Sequence, residues 1–169
     1  PFASLSDEIA DRTITLMAPS KTFNLAGFGC SFAIISNAGL RSRFKRAMRG
    51  IVPDPSAMGF RLAEVAYREC EEWRIRLINY LRSNRDYVFK ELLLLDGLIP
   101  YSPESTYLMW IDATELKVDC PHSFFENAGV GLSNGADFAA PGFLRLNLGS
   151  SFDLLELAIA RIKSAISKL

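Results

Sequence analysis

Met17-Ala-Pro-Ser-Lys-Thr-Phe-Asn-Leu-Ala-Gly27 is the stretch from which the fold of this 169-residue chain is read. It sets Lys21 among small and apolar residues, after the strand-like run Thr13-Ile-Thr-Leu16 and before a turn containing Gly27. A lysine so placed is either an ordinary surface residue or an amine kept for covalent chemistry, because lysine forms Schiff bases with carbonyl compounds. Ser20-Lys21 alone decides nothing, being common by chance. The far end of the chain changes the balance.

That far end is Pro141-Gly-Phe-Leu-Arg-Leu-Asn-Leu148. Strand alternation puts Phe143, Arg145 and Asn147 on one face and Leu144, Leu146 and Leu148 on the other. The leucine face goes to the core, so Arg145 looks toward solvent or a cleft. A planar guanidinium forks bidentately onto a carboxylate and stays charged at any working pH. The plainer reading of Arg145 is a surface arginine on an edge strand.

Taken together and in this order, the two runs resemble the fold-type I, pyridoxal-phosphate-dependent aminotransferases (class I/II), in the branch of the MalY/PatB-type cystathionine beta-lyases. Further segments extend the resemblance over nearly the whole chain. Gly27-Phe-Gly-Cys-Ser-Phe-Ala-Ile-Ile-Ser-Asn37 resembles the strand after the lysine run. Ala66-Tyr67, Glu72-Trp73 and Tyr80-Leu-Arg-Ser-Asn-Arg-Asp86 resemble the family's long interdomain helix. Ser105-Thr-Tyr-Leu-Met-Trp-Ile-Asp112 and Gly131-Leu-Ser-Asn-Gly-Ala-Asp-Phe138 resemble segments of its small domain.

The resemblance implies pyridoxal phosphate as cofactor and an amino acid as substrate, turned over by a C–S beta-lyase or an aminotransferase that works as a homodimer. It makes Lys21 the residue that carries the cofactor and then acts as general base. It offers Ser20 as a contact to the cofactor phosphate and Arg145 as the holder of the substrate carboxylate. Where many members carry an arginine eight positions after the lysine this chain has Gly29, a departure that fits the lyase branch and puts the phosphate contacts in doubt. The same two residues serve β-elimination and transamination, so they do not separate the two activities.

The resemblance also implies a larger whole. In the family, the phosphate turn, the ring-stacking aromatic and the ring-nitrogen aspartate precede the lysine, and none is identifiable in this sequence. Asp7, in Ser6-Asp7-Glu8-Ile9, lies too close to Lys21 for the aspartate role and reads as an exposed acid at a helix start. The expectation is therefore the C-terminal part of an enzyme, inactive alone, whose first partner is its own missing N-terminal region. Two other classes stay open: a non-catalytic module serving dimer contacts, and the ligand-sensing domain of a transcriptional regulator.

Composition bounds the rest. Lys plus Arg and Asp plus Glu balance at 19 each, which argues against bulk nucleic-acid binding. The cluster Arg41, Arg43, Lys45, Arg46 and Arg49 reads as the solvated face of a short helix. No apolar run approaches a membrane span. Cys30, Cys70 and Cys120 are widely spaced and odd in number, and read as reduced cysteines of a cytoplasmic protein. His122, the single histidine, cannot anchor a metal site.

Periodicity then predicts an α/β fold in three parts. Residues 1–55 read as a remnant of the large cofactor-binding domain, with strands near 13–17 and 31–36 belonging to a mostly parallel sheet. Residues 56–96 read as a long interdomain helix, capped by Ser56, unbroken over about 57–94 and ended by Gly97. Residues 97–169 read as a small α+β domain of short strands closed by an amphipathic helix from about Asp153.

Overall fold

Two short strands flank the lysine segment. In the computed structural model, which describes residues 1–169, β1 (Thr15–Met17) and β2 (Phe32–Ile34) pair antiparallel with Leu16 opposite Ala33. Within the mostly parallel sheet expected for these strands, this one pair runs antiparallel. Their connection holds only a helical turn, α2 (Pro19–Thr22), and a 3-10 turn at Ala26–Phe28, so the chain doubles back. A parallel pair is usually joined through a full α-helix, which these short turns do not supply. No further strand pairs with either one, and Leu16, Phe32 and Ile34 stay exposed.

Two units make up the chain, Pro1–Arg76 and Leu77–Leu169. In the first, α1 (Asp7–Asp11) is capped by Ser6, whose Oγ accepts from the Ile9 N–H at 3.2 Å, and Asp7 sits exposed in its first turn. The Asn37 carboxamide oxygen accepts from the Leu40 N–H at 2.8 Å and starts α3 (Ala38–Met48). Arg41 is not simply solvated. Its Nη1 donates to the Ile35 carbonyl at 2.7 Å and the Ser36 carbonyl at 3.2 Å, tying the helix to the end of β2.

Ser56 caps the next helix as expected, its hydroxyl accepting from the Gly59 N–H at 3.0 Å. The helix foreseen over 57–94 is, however, two helices, α4 (Ala57–Glu69) and α5 (Glu71–Leu92). The break falls at Cys70, where ψ of 22° leaves the helical range. No proline or glycine marks it. Its local signal is Glu71-Glu72, acids suited to a new helix N-terminus, with Glu71 held by Arg74 one turn on. The helix also stops before Gly97, which takes a left-handed φ of 84° in the turn leading to the next strand.

The second unit holds the main core. Strands β3 (Ile99–Tyr101), β4 (Leu108–Asp112), β5 (Ser133–Asn134) and β6 (Phe143–Asn147) form an antiparallel sheet in the order β3-β4-β6-β5. Met109, Ile111, Leu144 and Leu146 leave one face of it and meet Val88 and Leu92 of α5, Phe125 of α6 (Pro121–Asn127), and Leu155, Ile159 and Ile162 of α7 (Phe152–Ile166). The amphipathic face expected of the last helix packs on this core as far as Ile166, while Leu169 lies beyond the helix and is exposed. No helix is long and apolar enough to cross a membrane.

One polar group is sunk in this core. Asn84 of α5 is fully buried, and its Nδ2 donates to the carbonyls of Leu148 and Ser150, each at 3.0 Å. It thereby pins the chain just after β6 to the helix. Asn84→Ala strands the buried Leu148 carbonyl and the part-buried Ser150 carbonyl, and a net cost of about 2 kcal/mol is expected from the loss. The midpoint and slope of urea unfolding, compared with the unsubstituted chain, check it.

The three cysteines are free, and Cys120 is exposed immediately before α6. The Ser123 backbone N–H, then the Ser123 hydroxyl and the His122 backbone, stabilise its thiolate and lower its pKa despite some desolvation. Because the anion is the nucleophile, alkylation should set in at a lower pH than for an ordinary thiol of pKa about 8.5. Iodoacetamide rates measured against pH in a Cys30→Ser/Cys70→Ser background give the midpoint, and Ser123→Ala should raise it part of the way.

Candidate functional site

Lys21 is the third residue of α2, whose first position is Pro19. Proline suits that place because its fixed φ matches the helix and its missing N–H is not needed there. The Phe23 N–H closes the turn on the Pro19 carbonyl at 2.9 Å, and the Leu25 N–H reaches the Ser20 carbonyl at 2.9 Å. Asn24 then takes a left-handed φ of 55°, a conformation that asparagine tolerates better than most residues, and so serves the turn.

Phe23 anchors this turn. It is buried, meets Tyr67 of α4 edge-on at a centroid distance of 5.3 Å, and stacks near Trp73 at 6.4 Å. Tyr67 in turn meets Phe32 of β2 at 6.0 Å. At the start of α4, Gly59 runs against the Phe28 carbonyl so closely that a Cβ would lie 2.6 Å from that oxygen. The segment that follows Lys21 is therefore held at two points. Lys21 itself points to solvent, and no ion pair of the chain engages its amine. Ser20 beside it is half-buried.

Arg145 occupies the centre of β6, opposite Trp110 of β4 on one side and Ser133 of β5 on the other. The burial of β6 alternates as expected, with Leu144 and Leu146 inside and Phe143 and Arg145 half-buried on the other face. One guanidinium nitrogen, Nη2, donates to Ser133 Oγ at 3.2 Å. The Nε is buried with no hydrogen-bond partner, and no carboxylate of the chain pairs with the group. The Phe138 ring lies beneath it, 4.4 Å from the guanidinium carbon to the ring centroid.

Lys21 and Arg145 belong to different units, and each is a cation without an anionic partner. The sequence singles out both as candidates but not the residues that support them. Phe23, Tyr67 and Trp73 hold the lysine turn, while Phe138, Ser133 and Trp110 surround the arginine. The available signal for the second group was Gly135-Ala-Asp-Phe138, a glycine-led turn just before the arginine strand.

Known proteins resemble this chain over nearly its whole length. The model of the family "Aminotransferase class I and II" matches residues 2–162. Cystathionine beta-lyase PatB of Bacillus subtilis is 33% identical over 99% of this chain and 45% of its own length. Among solved structures, OvoB matches with a TM-score of 0.95 at 46% identity, covering 99% of this chain and 44% of that one. Cystalysin from Treponema denticola, described as containing a pyridoxal 5'-phosphate cofactor, matches with a TM-score of 0.88 at 32% identity, covering 99% and 44%. The chain thus spans about 45% of the length of PatB. By its sequence and by its fold, this chain belongs to the class I and II aminotransferase family.

Proposed function

We propose that this chain is the C-terminal part of a pyridoxal-phosphate-dependent enzyme acting on amino acids, a C–S beta-lyase of the cystathionine beta-lyase kind. The observation that carries the reading is Arg145, a half-buried guanidinium that pairs with no carboxylate of the chain and whose buried Nε has no hydrogen-bond partner. A primary amine and an unsatisfied guanidinium are a donor set that fits an aldehyde cofactor and a carboxylate substrate. Likeness to PatB favours elimination, and transamination is the runner-up because it asks the same of both residues.

The cofactor, when bound, withdraws electrons from the substrate Cα and so makes its proton removable. Lys21 Nζ would carry the cofactor between turnovers and, once freed, accept the α-proton as general base. Arg145 would fork onto the α-carboxylate and set the orientation of the Cα–H bond. The Ser20 hydroxyl would donate to the cofactor phosphate.

We further propose that activity needs the rest of the family fold. The open edges of β1 and β2, and the exposed side chains of Leu16, Phe32 and Ile34, suit burial against that remainder in a cytoplasmic homodimer. The 169 residues alone would then bind cofactor weakly and release no product.

The test is incubation with pyridoxal phosphate, borohydride reduction and peptide mass mapping. An adduct concentrated on Lys21 and absent from Lys21→Ala is expected. Labelling that stays scattered over several lysines and equal in the variant, even with the remainder of the fold supplied, would sink the cofactor role of Lys21. Pyruvate release from L-cystathionine is expected only when the chain is continuous with, or mixed with, the remainder of the fold.

A further inference from the structure

Resting on the reading of Arg145 as a carboxylate binder, we propose that Phe138 and Ser133 are its positioning residues, setting which edge of the guanidinium meets the carboxylate. Trp110, Arg145 and Ser133 form one cross-strand row on the sheet face opposite the core. The Phe138 ring covers one side of the guanidinium at 4.4 Å, and Ser133 Oγ takes one N–H at 3.2 Å. A guanidinium has five N–H donors in a fixed plane. With one face covered and one donor engaged, a carboxylate has to approach in that plane, where bidentate pairing is strongest.

Phe138 is itself held in place. It meets Trp110 edge-on at 6.0 Å, and Trp110 stacks on Phe143 at 5.7 Å with an interplanar angle of 20°. The turn that carries Phe138, Gly135–Phe138, is pressed against the chain entering β6. A Cβ on Gly135 would lie 2.4 Å from the carbonyl oxygens of both Ala140 and Phe143, so only glycine fits. The Ala140 N–H closes this turn on the Gly135 carbonyl at 3.0 Å. The backbone thus fixes where the ring sits, independently of the arginine.

An aromatic face is suited to this task in a way that an acid is not. Aspartate or glutamate beside Arg145 would orient it as well but would compete with the ligand for the same donors. The ring quadrupole attracts the cation without occupying its N–H groups. The guanidinium stays ordered and keeps donors free, and its ordering cost is met before the ligand arrives. The buried Nε without a partner is what such a poised group leaves behind.

The test is an NMR titration of the nitrogen-15-labelled chain with sodium propionate at constant ionic strength, read at the Trp110 indole N–H, with sodium chloride as control. Phe138→Leu should weaken propionate binding about fivefold, Ser133→Ala should weaken it less, and Phe138→Tyr, which keeps the ring, should restore it. Urea midpoints report separately on folding. Unchanged affinity in a folded Phe138→Leu overturns the proposal and leaves the carboxylate role of Arg145 standing. Should that variant lose its fold, unchanged affinity in Ser133→Ala is the overturning result. Equal binding by Arg145→Gln, or no saturable shift in the unsubstituted chain, overturns the carboxylate role and this proposal with it.

Discussion

The antiparallel register of β6 against β4 is the constraint on which the second unit depends. Leu146 faces Met109 and Leu144 faces Ile111, so four apolar side chains leave one side of the sheet together. The same register sets Arg145 opposite Trp110 on the other side. A slip by one residue would exchange the faces, burying the guanidinium and exposing the leucines. Core and candidate site are thus two consequences of one pairing. Asn84 reinforces it by binding the carbonyls of Leu148 and Ser150 at the point where β6 ends.

The two units differ in how far they satisfy themselves. The second has a contiguous core running from Val88 to Ile162. The first has few buried apolar side chains, chiefly Phe23, Ile35 and Ala66, and a two-stranded sheet with both outer edges open. A lone pair of strands is marginal in water, and here it is supported by the aromatic contacts of Phe23, Tyr67 and Phe32. Those contacts converge beside the lysine turn. The packing of the first unit is therefore concentrated beside the proposed chemistry, while its strand faces remain apolar and uncovered.

Both candidate site residues are cations that the chain declines to neutralise. It forms ion pairs freely along its helices, as in Arg61–Glu64, Arg68–Glu64 and Arg74–Glu71. Such exposed pairs contribute little to stability. Most of the 19 Lys and Arg side chains form no such pair, and what sets Arg145 apart is a buried Nε without a partner. The neighbours of Arg145 are an aromatic ring and a hydroxyl, groups that orient a guanidinium without discharging it.

Much of this was legible in the residues themselves. Strand alternation placed Arg145 opposite the leucines, Ser56 marked a helix start, and the lysine and arginine runs carried the family, because each is a local pattern with a local physical cause. The break at Cys70 was not legible as a break, since an unbroken apolar period outweighs two glutamates when no proline or glycine interrupts it. The antiparallel pairing of β1 with β2 was missed because apolar three-residue strands read alike in either direction. Phe138 beneath Arg145 was invisible for another reason: the contact depends on how tightly the Gly135 turn folds back onto β6, a close approach of backbones that only the tertiary structure decides.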